Sequence, residues 1–332
     1  FMQDIPDLQF LDIAMADDMR QPLETPAPMT AAQTRAFFDD FFARLQDLPD
    51  RLIGMIGPNA PQRCSPDLWQ VWRDLRNTYD APVHTHLLET KAQALQSRRN
   101  WPGGLVAEMQ RQGLLNNQLS AAHCIWLLNA ERHLLAEHDV TVVHNPASNL
   151  MLGSGLMPYE DYADRGIDIA IGSDSANTAG RHDIFEAIRL AAMLPRSGQA
   201  DYEKWPAAAD IMANSIKAGA KALGLDSALG QLAPGRLADL ILLEMDSAIA
   251  IGPRLNAELI VQHASRHVVT DVMVDGNWLL RDGVLTVLNE TELRSAYKEQ
   301  RGAFLARCRD QSDLALKTAP VIRDYLLSSF FS

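Results

Sequence analysis

The stretch HTHLLET (84–90) sets His84 and His86 two residues apart and Glu89 three residues after His86. Imidazole and carboxylate are the ligands that zinc and ferrous iron accept, and a bound metal of this kind makes hydroxide available near neutral pH. A carboxylate just outside the ligand set can carry protons to and from a substrate. Similar residues recur downstream. His123 is in LSAAHC (119–124), His144 in VTVVHN (140–145) and Asp174 closes IDIAIGSD (167–174), while Asn59 follows RLIGMIG (51–57). Taken alone, a strand-end histidine is more often a hydrogen-bonded core residue, and an aspartate after Gly-Ser is more often a turn former. Taken together, His86, His123 and Asp174 give one divalent ion imidazole and carboxylate donors, with Glu89 in reach as a proton carrier. The loop NTAGRHD (177–183) adds Arg181 and His182 as candidates for the same pocket, and Asn59 is a candidate substrate contact.

These residues need elements that bring them to one place. Short apolar runs alternate with helical patterns from about residue 50 to residue 222. RLIGMIG, APVHTH (81–86), LSAAHC, VTVVHN and IDIAIGSD read as strands buried on both faces. SPDLWQVWRDLRNTY (65–79) reads as a helix with Ser65 as its cap and Pro66 in its first turn. NAERHLLAEH (129–138), MPYEDYADRG (157–166), HDIFEAIRLAAML (182–194) and about 206–223 are further helices, and WPGG (101–104) is a turn. Strands alternating with helices imply parallel βα units, and in a β/α barrel the chemistry gathers at the C-terminal strand ends. The expected fold class is therefore α/β. After residue 225 Gly-punctuated alternation suggests a small antiparallel β unit. The tail opens on a capping pattern at Asn289 and Glu292, and Leu293, Tyr297, Phe304 and Cys308 share one helical face expected to lie on the outside of the barrel.

Composition narrows the function classes. The 332 residues are 47% hydrophobic with a formal net charge of −12. That is enough for a sizeable core, and the acidic balance argues against a general nucleic-acid binder. No apolar run reaches membrane-span length. Three scattered cysteines, Cys64, Cys124 and Cys308, give no disulfide framework and point to a reducing, cytoplasmic setting.

HTHLLET, AAHCIWL, VVHNPASNLMLGSG and IAIGSDSANTAG resemble the strand-five, -six, -seven and -eight motifs of the amidohydrolase superfamily, in its cytosine-deaminase-like and chlorohydrolase-like branch. LGQLAPGRLADLILL (229–243) is similar to the segment that returns these enzymes to their small β-sandwich. The likeness runs from about residue 50 to about residue 285. It implies a (β/α)8 TIM-like barrel with one divalent metal, zinc first and iron second. His86 resembles the strand-five metal ligand, Asp174 the strand-eight ligand and proton acceptor, Glu89 the proton shuttle and His123 the histidine that orients hydroxide or substrate. His84 is read as structural, one layer deeper. Asn145 and Asn149 are read as braces of the strand-seven loop.

The resemblance also implies departures. The family's first strand carries a His-x-His pair, but too few strands follow His84 for HTH to be that pair. Strands one and two and the leading half of the sandwich are thus expected to be missing from this chain, with FLDIAMADD (10–18) as a remnant of strand three and a metal site short of ligands. The expected division is 1–224 barrel, 225–288 part of the sandwich and 289–332 a helical tail on the barrel. Asn59 stands where many adenosine-type deaminases carry histidine, which argues against adenosine or S-adenosylhomocysteine. The function expected is hydrolytic removal of an amino group from a nitrogen heterocycle, on a small-molecule substrate, in a chain that could pair as a homodimer. The rivals are cyclic-amide or halo-heterocycle hydrolysis on the same fold and a non-catalytic barrel subunit. No lysine ends a strand, which disfavours the two-metal amide-opening type.

Overall fold

The computed structural model describes residues 2–23, 28–49, 51–245 and 256–330. A parallel sheet carries four strands in chain order: β1 (Val83–Leu87), β2 (Leu119–His123), β3 (Thr141–His144) and β4 (Ile169–Ile171). Each new strand adds to the same side of the last, so the crossover helices all fall on one face, as in an arc of a β/α barrel. Side chains alternate along β1. Val83, Thr85 and Leu87 are buried, whereas His84 and His86 face the other way and are half-buried.

The helices that matter for the site are α1 (Ala31–Leu45), α2 (Pro66–Tyr79), α3 (Lys91–Asn100), α4 (Leu105–Arg111), α5 (Asn129–Glu137), α6 (Pro146–Met151), α7 (Ile184–Met193) and α8 (Ala208–Ala222). Helix α2 starts as its sequence requires: Ser65 Oγ accepts from the Leu68 N–H and Pro66 follows. Leu68, Trp72 and Leu75 make its fully buried face, and α1 lies against it with Phe42 stacked on Tyr79 at 4.2 Å. Helix α8 covers β3 and β4.

Two expected strands are not strands. In RLIGMIG only Ile56 bridges, to Val83, because Gly54 and Gly57 bracket it and Pro58 has no N–H for a ladder. In FLDIAMADD the chain is instead helical at Asp7–Phe10 and Asp17–Arg20, separated by a left-handed Asp12. The position beside Pro58 is taken by Met2, whose N–H donates to the Gly57 carbonyl at 2.9 Å and whose carbonyl accepts from the Asn59 N–H at 2.9 Å.

A second sheet is antiparallel, in the order β5 (Leu240–Leu243), β6 (Val269–Val274), β7 (Asn277–Arg281) and β8 (Val284–Leu285). A long helix, α9 (Glu290–Phe330), follows. Asn289 caps it, accepting from the Thr291 and Glu292 N–H groups while its amide donates to Glu292. The expected apolar face of this helix does not lie on the body: Leu293, Tyr297 and Phe304 are exposed, and contact is made by the last turns against α3 and the Asp17–Arg20 turn. Among the described residues no helix is long and apolar enough to cross a membrane. All three thiols are free; Cys64 and Cys124 are buried, and burial pushes both up, so they sit as protonated core residues.

The WPGG turn shows how tightly the scaffold under the site is fitted. Gly104 has φ +95, and a Cβ there would lie 2.6 Å from Glu131 Oε1. Glu131 is buried because its two oxygens accept from the Val106 N–H at 3.1 Å and the Leu128 N–H at 2.8 Å, tying α4 to the start of α5. Glu131→Ala strands two donors and is expected to cost roughly 3 kcal/mol in urea denaturation. A loss under about 0.5 kcal/mol would show that water replaces the carboxylate freely.

Candidate functional site

Four side chains meet beyond the C-terminal ends of β1, β2 and β4. His86 ends the half-buried face of β1 and its ring lies nearly parallel to that of His123, centroids 5.5 Å apart. His123 Nε2 faces Glu89 Oε2 at 3.9 Å and Asp174 Oδ2 at 4.0 Å. Both separations are longer than a hydrogen bond.

Backbone handedness creates this convergence. The register pairs His123 with Leu87 and would leave its side chain on the helix-covered face. Left-handed backbone at His123 (φ 70) and Cys124 (φ 51) turns the ring toward His86. Leu88 (φ 44) does the same just before Glu89, and Asp174 itself has φ 56. None of these is glycine, so each conformation is held against a steric preference by its surroundings, a pattern found at functional strand ends.

The electrostatics follow from the neighbours. Burial alone would raise the Asp174 pKa, but Ser148, the Ser175 N–H at 2.6 Å and the imidazoles of His123 and His86 together hold it below the usual carboxylate range. The Ser148 Oγ contact lies outside ordinary hydrogen-bond geometry, so the Ser175 N–H is the firmer support. His86 Nδ1 pairs with the Asn59 main-chain carbonyl at 2.5 Å, which can only accept; the neutral ring therefore keeps its lone pair on Nε2. His84 Nδ1 pairs with Ser120 Oγ at 2.8 Å, and that hydroxyl donates to the Val83 carbonyl at 3.2 Å, so His84 must be the donor. Burial, with His86 and His123 nearby, pushes His84 down to about 4; it is a neutral residue of the inner layer.

Other candidates lie elsewhere. Asn59 is at the site, but its side chain accepts from Arg63 Nη1 at 2.8 Å and only its carbonyl reaches His86. Arg181 is exposed and forks onto Glu186 at 2.6 and 3.1 Å, so the structure does not bring it to the cluster. His182 Nδ1 lies 3.3 Å from Ser173 Oγ, one residue from Asp174. His144, paired in register with Ile171, is on the opposite face from His86 and lies against Tyr159. Sequence reading gave no role to Arg63, Ser148 or Ser154; single serines and an arginine after a strand carry no distinguishing signal. Ser154 Oγ donates to Glu89 Oε1 at 2.8 Å.

Burial pushes His144 down to about 3, with His123 adding to the effect. In the unfolded chain a histidine titrates near 6.5. The unfolded state therefore takes up the proton first, and the stability tied to neutral His144 is whole above 6.5 and drains away as pH falls toward 3. The slope expected from this group is up to about 1.4 kcal/mol per pH unit, and His144→Asn should lower the slope of stability curves between pH 6 and 4 by that amount, leaving the like contribution of His84. An unchanged slope in that variant would assign the acid sensitivity to other groups.

Residues 31–279 match the model of the Amidohydrolase family. The 5'-deoxyadenosine deaminase of Methanothermobacter thermautotrophicus is 35% identical over 241 residues, 73% of this chain and 56% of that protein. The 5-methylthioadenosine/S-adenosylhomocysteine deaminase of Halothermothrix orenii is 32% identical over 244 residues, again 73% and 56%. Among solved structures, an adenosine deaminase from Xanthomonas campestris with bound zinc superposes with a TM-score of 0.74 at 30% identity, covering 81% of this chain and 62% of that one. The chain thus spans about half the length of the curated relatives it matches.

Proposed function

Since the chain belongs to the amidohydrolase family, we propose that it supplies the proton-transfer half of a metal-dependent aminohydrolase that replaces the exocyclic amino group of a nitrogen heterocycle with oxygen. The observation that carries this reading is His123 Nε2 held within 4.0 Å of both Glu89 and Asp174, with the His86 ring alongside. The names of the relatives make 6-aminopurine nucleosides the first substrate class to test. Asn59 does not weigh against them, because its amide is held by Arg63 rather than presented to a ligand.

The donor chemistry fits a divalent ion. His86 Nδ1 bonded to a carbonyl is the usual support of a ligating imidazole, and Asp174 stays ionised. Among the described residues no three His, Cys, Asp or Glu side chains form a complete ligand group. His86 and Asp174 would be two ligands of a site completed by further donors, with zinc the first choice and iron the second. When bound, such an ion supplies Lewis acidity that makes water a nucleophile near neutral pH.

The chain's own residues then divide the proton work. Water adds to the ring carbon that bears the amino group. Glu89 carries one of the water's two protons to the neighbouring ring nitrogen, so that the oxygen ends as the ring carbonyl and the glutamate as it began. Asp174 takes the other proton and passes it to the amino group, which leaves as ammonia. His123 orients the attacking oxygen between the two carboxylates.

The test is ammonia release by the intact gene product from 5'-deoxyadenosine, 5-methylthioadenosine and S-adenosylhomocysteine, beside pyrimidines, pterins and triazines, with metal content measured on the same sample. Ammonia from at least one heterocycle, with about one equivalent of metal, is the expected result. Ring-opened or halide products would move the protein to another hydrolytic reaction. A metal-free, inactive protein would point to a binding subunit.

A further inference from the structure

One short segment holds both His123 and Glu89 by side-chain hydrogen bonds. Helix α6 and the turn after it hold Ser148, Asn149 and Ser154, which are 0%, 1% and 5% exposed. Leu150, Met151 and Leu152 between them are exposed. The segment therefore turns its polar side chains inward and its large apolar ones outward, the reverse of a helix that serves the core.

Two of the inward groups have a hydrogen-bond partner in the proton-transfer set. Asn149 Oδ1 lies 2.8 Å from His123 Nδ1, both buried. Ser154 Oγ donates to Glu89 Oε1. Ser148 contributes to the low pKa of Asp174. The turn is itself fixed from outside, since Trp126 Nε1 donates to the Ser154 carbonyl at 2.7 Å and Arg98 donates to the Trp126 carbonyl at 3.1 Å. Gly155, at φ +125, lets the chain pass beside the Trp126 ring, where a Cβ would come within 3.1 Å.

Resting on the reading above, we propose that Asn149 and Ser154 are positioning residues: Asn149 keeps a proton on His123 Nδ1 and so presents Nε2 to the reacting groups, and Ser154 fixes which Glu89 oxygen faces His123. An amide suits the first task. Its oxygen accepts from Nδ1–H without adding a charge beside the two carboxylates already there. Ser154 holds Oε1, which leaves Oε2 as the oxygen 3.9 Å from His123 Nε2. Proton transfer needs that separation of roles, because a carboxylate free to rotate would present either oxygen.

The experiment needs neither metal nor substrate. Imidazole nitrogen shifts are recorded on the intact gene product, metal-free and labelled with 15N-histidine, at pH 8, with His123→Gln to assign the signal. The expected result is a protonated Nδ1 and an unprotonated Nε2 at His123. Asn149→Leu should shift the ring toward the Nε2–H tautomer, and Asn149→Asp should restore protonation at Nδ1. A wild-type ring protonated only at Nε2, or a Leu variant with unchanged shifts, overturns the assignment to Asn149. For Ser154, Ser154→Ala in the intact gene product should lower kcat for ammonia release roughly tenfold with KM unchanged, the effect of one lost hydrogen bond to a charged group. Ser154→Thr should restore it. A change in KM alone would make Ser154 a substrate contact instead. Absent ammonia release with the expected nitrogen shifts would count against the reaction, not against the positioning of His123.

Discussion

Glu89→Gln is expected to lower ammonia release by the intact gene product by about 10²- to 10⁴-fold, the range that a positioned proton carrier contributes. The substitution is close to isosteric. Glutamine can still accept from Ser154, which holds the wild-type side chain at 2.8 Å, so placement survives. What is lost is the proton, because an amide neither gives nor takes one near neutral pH. Steady-state ammonia release gives the rate, and an unchanged thermal midpoint shows that the fold is intact. Full activity in this variant would remove Glu89 from the reaction.

His86→Ala is expected to weaken zinc binding by more than about 100-fold, since loss of a merely supporting group already costs 10- to 100-fold. Chelator competition measures it. Asn59 provides the contrast. It supports His86 through a main-chain carbonyl that no substitution removes, so Asn59→Ala should bind zinc within a few-fold of the parent. Equal affinity in the His86 variant would mean that the ring serves only to flank His123.

The two variants separate the parts that were readable in the sequence. HTHLLET, LSAAHC, VTVVHN and IDIAIGSD announce β1 to β4 because each is a short apolar run cut off by a polar residue. The capping signals at Ser65 and Asn289 were equally legible, since a cap is a local interaction between neighbours in the chain. Convergence was harder. Residue types do not reveal the left-handed backbone at Leu88, His123 and Asp174, and strict alternation would have sent His123 to the wrong face. Nor do they reveal main-chain donors and acceptors, so Asn59 looked like a ligand contact when only its carbonyl matters. For Arg181 the competitor was in plain view: Glu186, five residues on, takes the guanidinium. Asn149 was legible as a brace, but a brace for His123 requires knowing that α6 folds back over β2.

Helix α9 misled most, because a stripe of Leu293, Tyr297 and Phe304 at helical spacing normally means burial. Its 41 residues span about 60 Å at the usual rise. Yet it is moored at one end, where Tyr325 donates to the Leu11 carbonyl, Arg99 reaches the Ser329 carbonyl and the Arg99 guanidinium sits 4.7 Å over the Phe330 ring. Pro320 stands near that mooring and has no N–H to give the turn before it. The turns upstream of the buried Thr318 thus behave as a mast, stiffened by their own rungs and by pairs such as Arg294–Glu290. Limited proteolysis is therefore expected to nick these exposed turns before it cuts the strands that carry His86, His123 and Asp174.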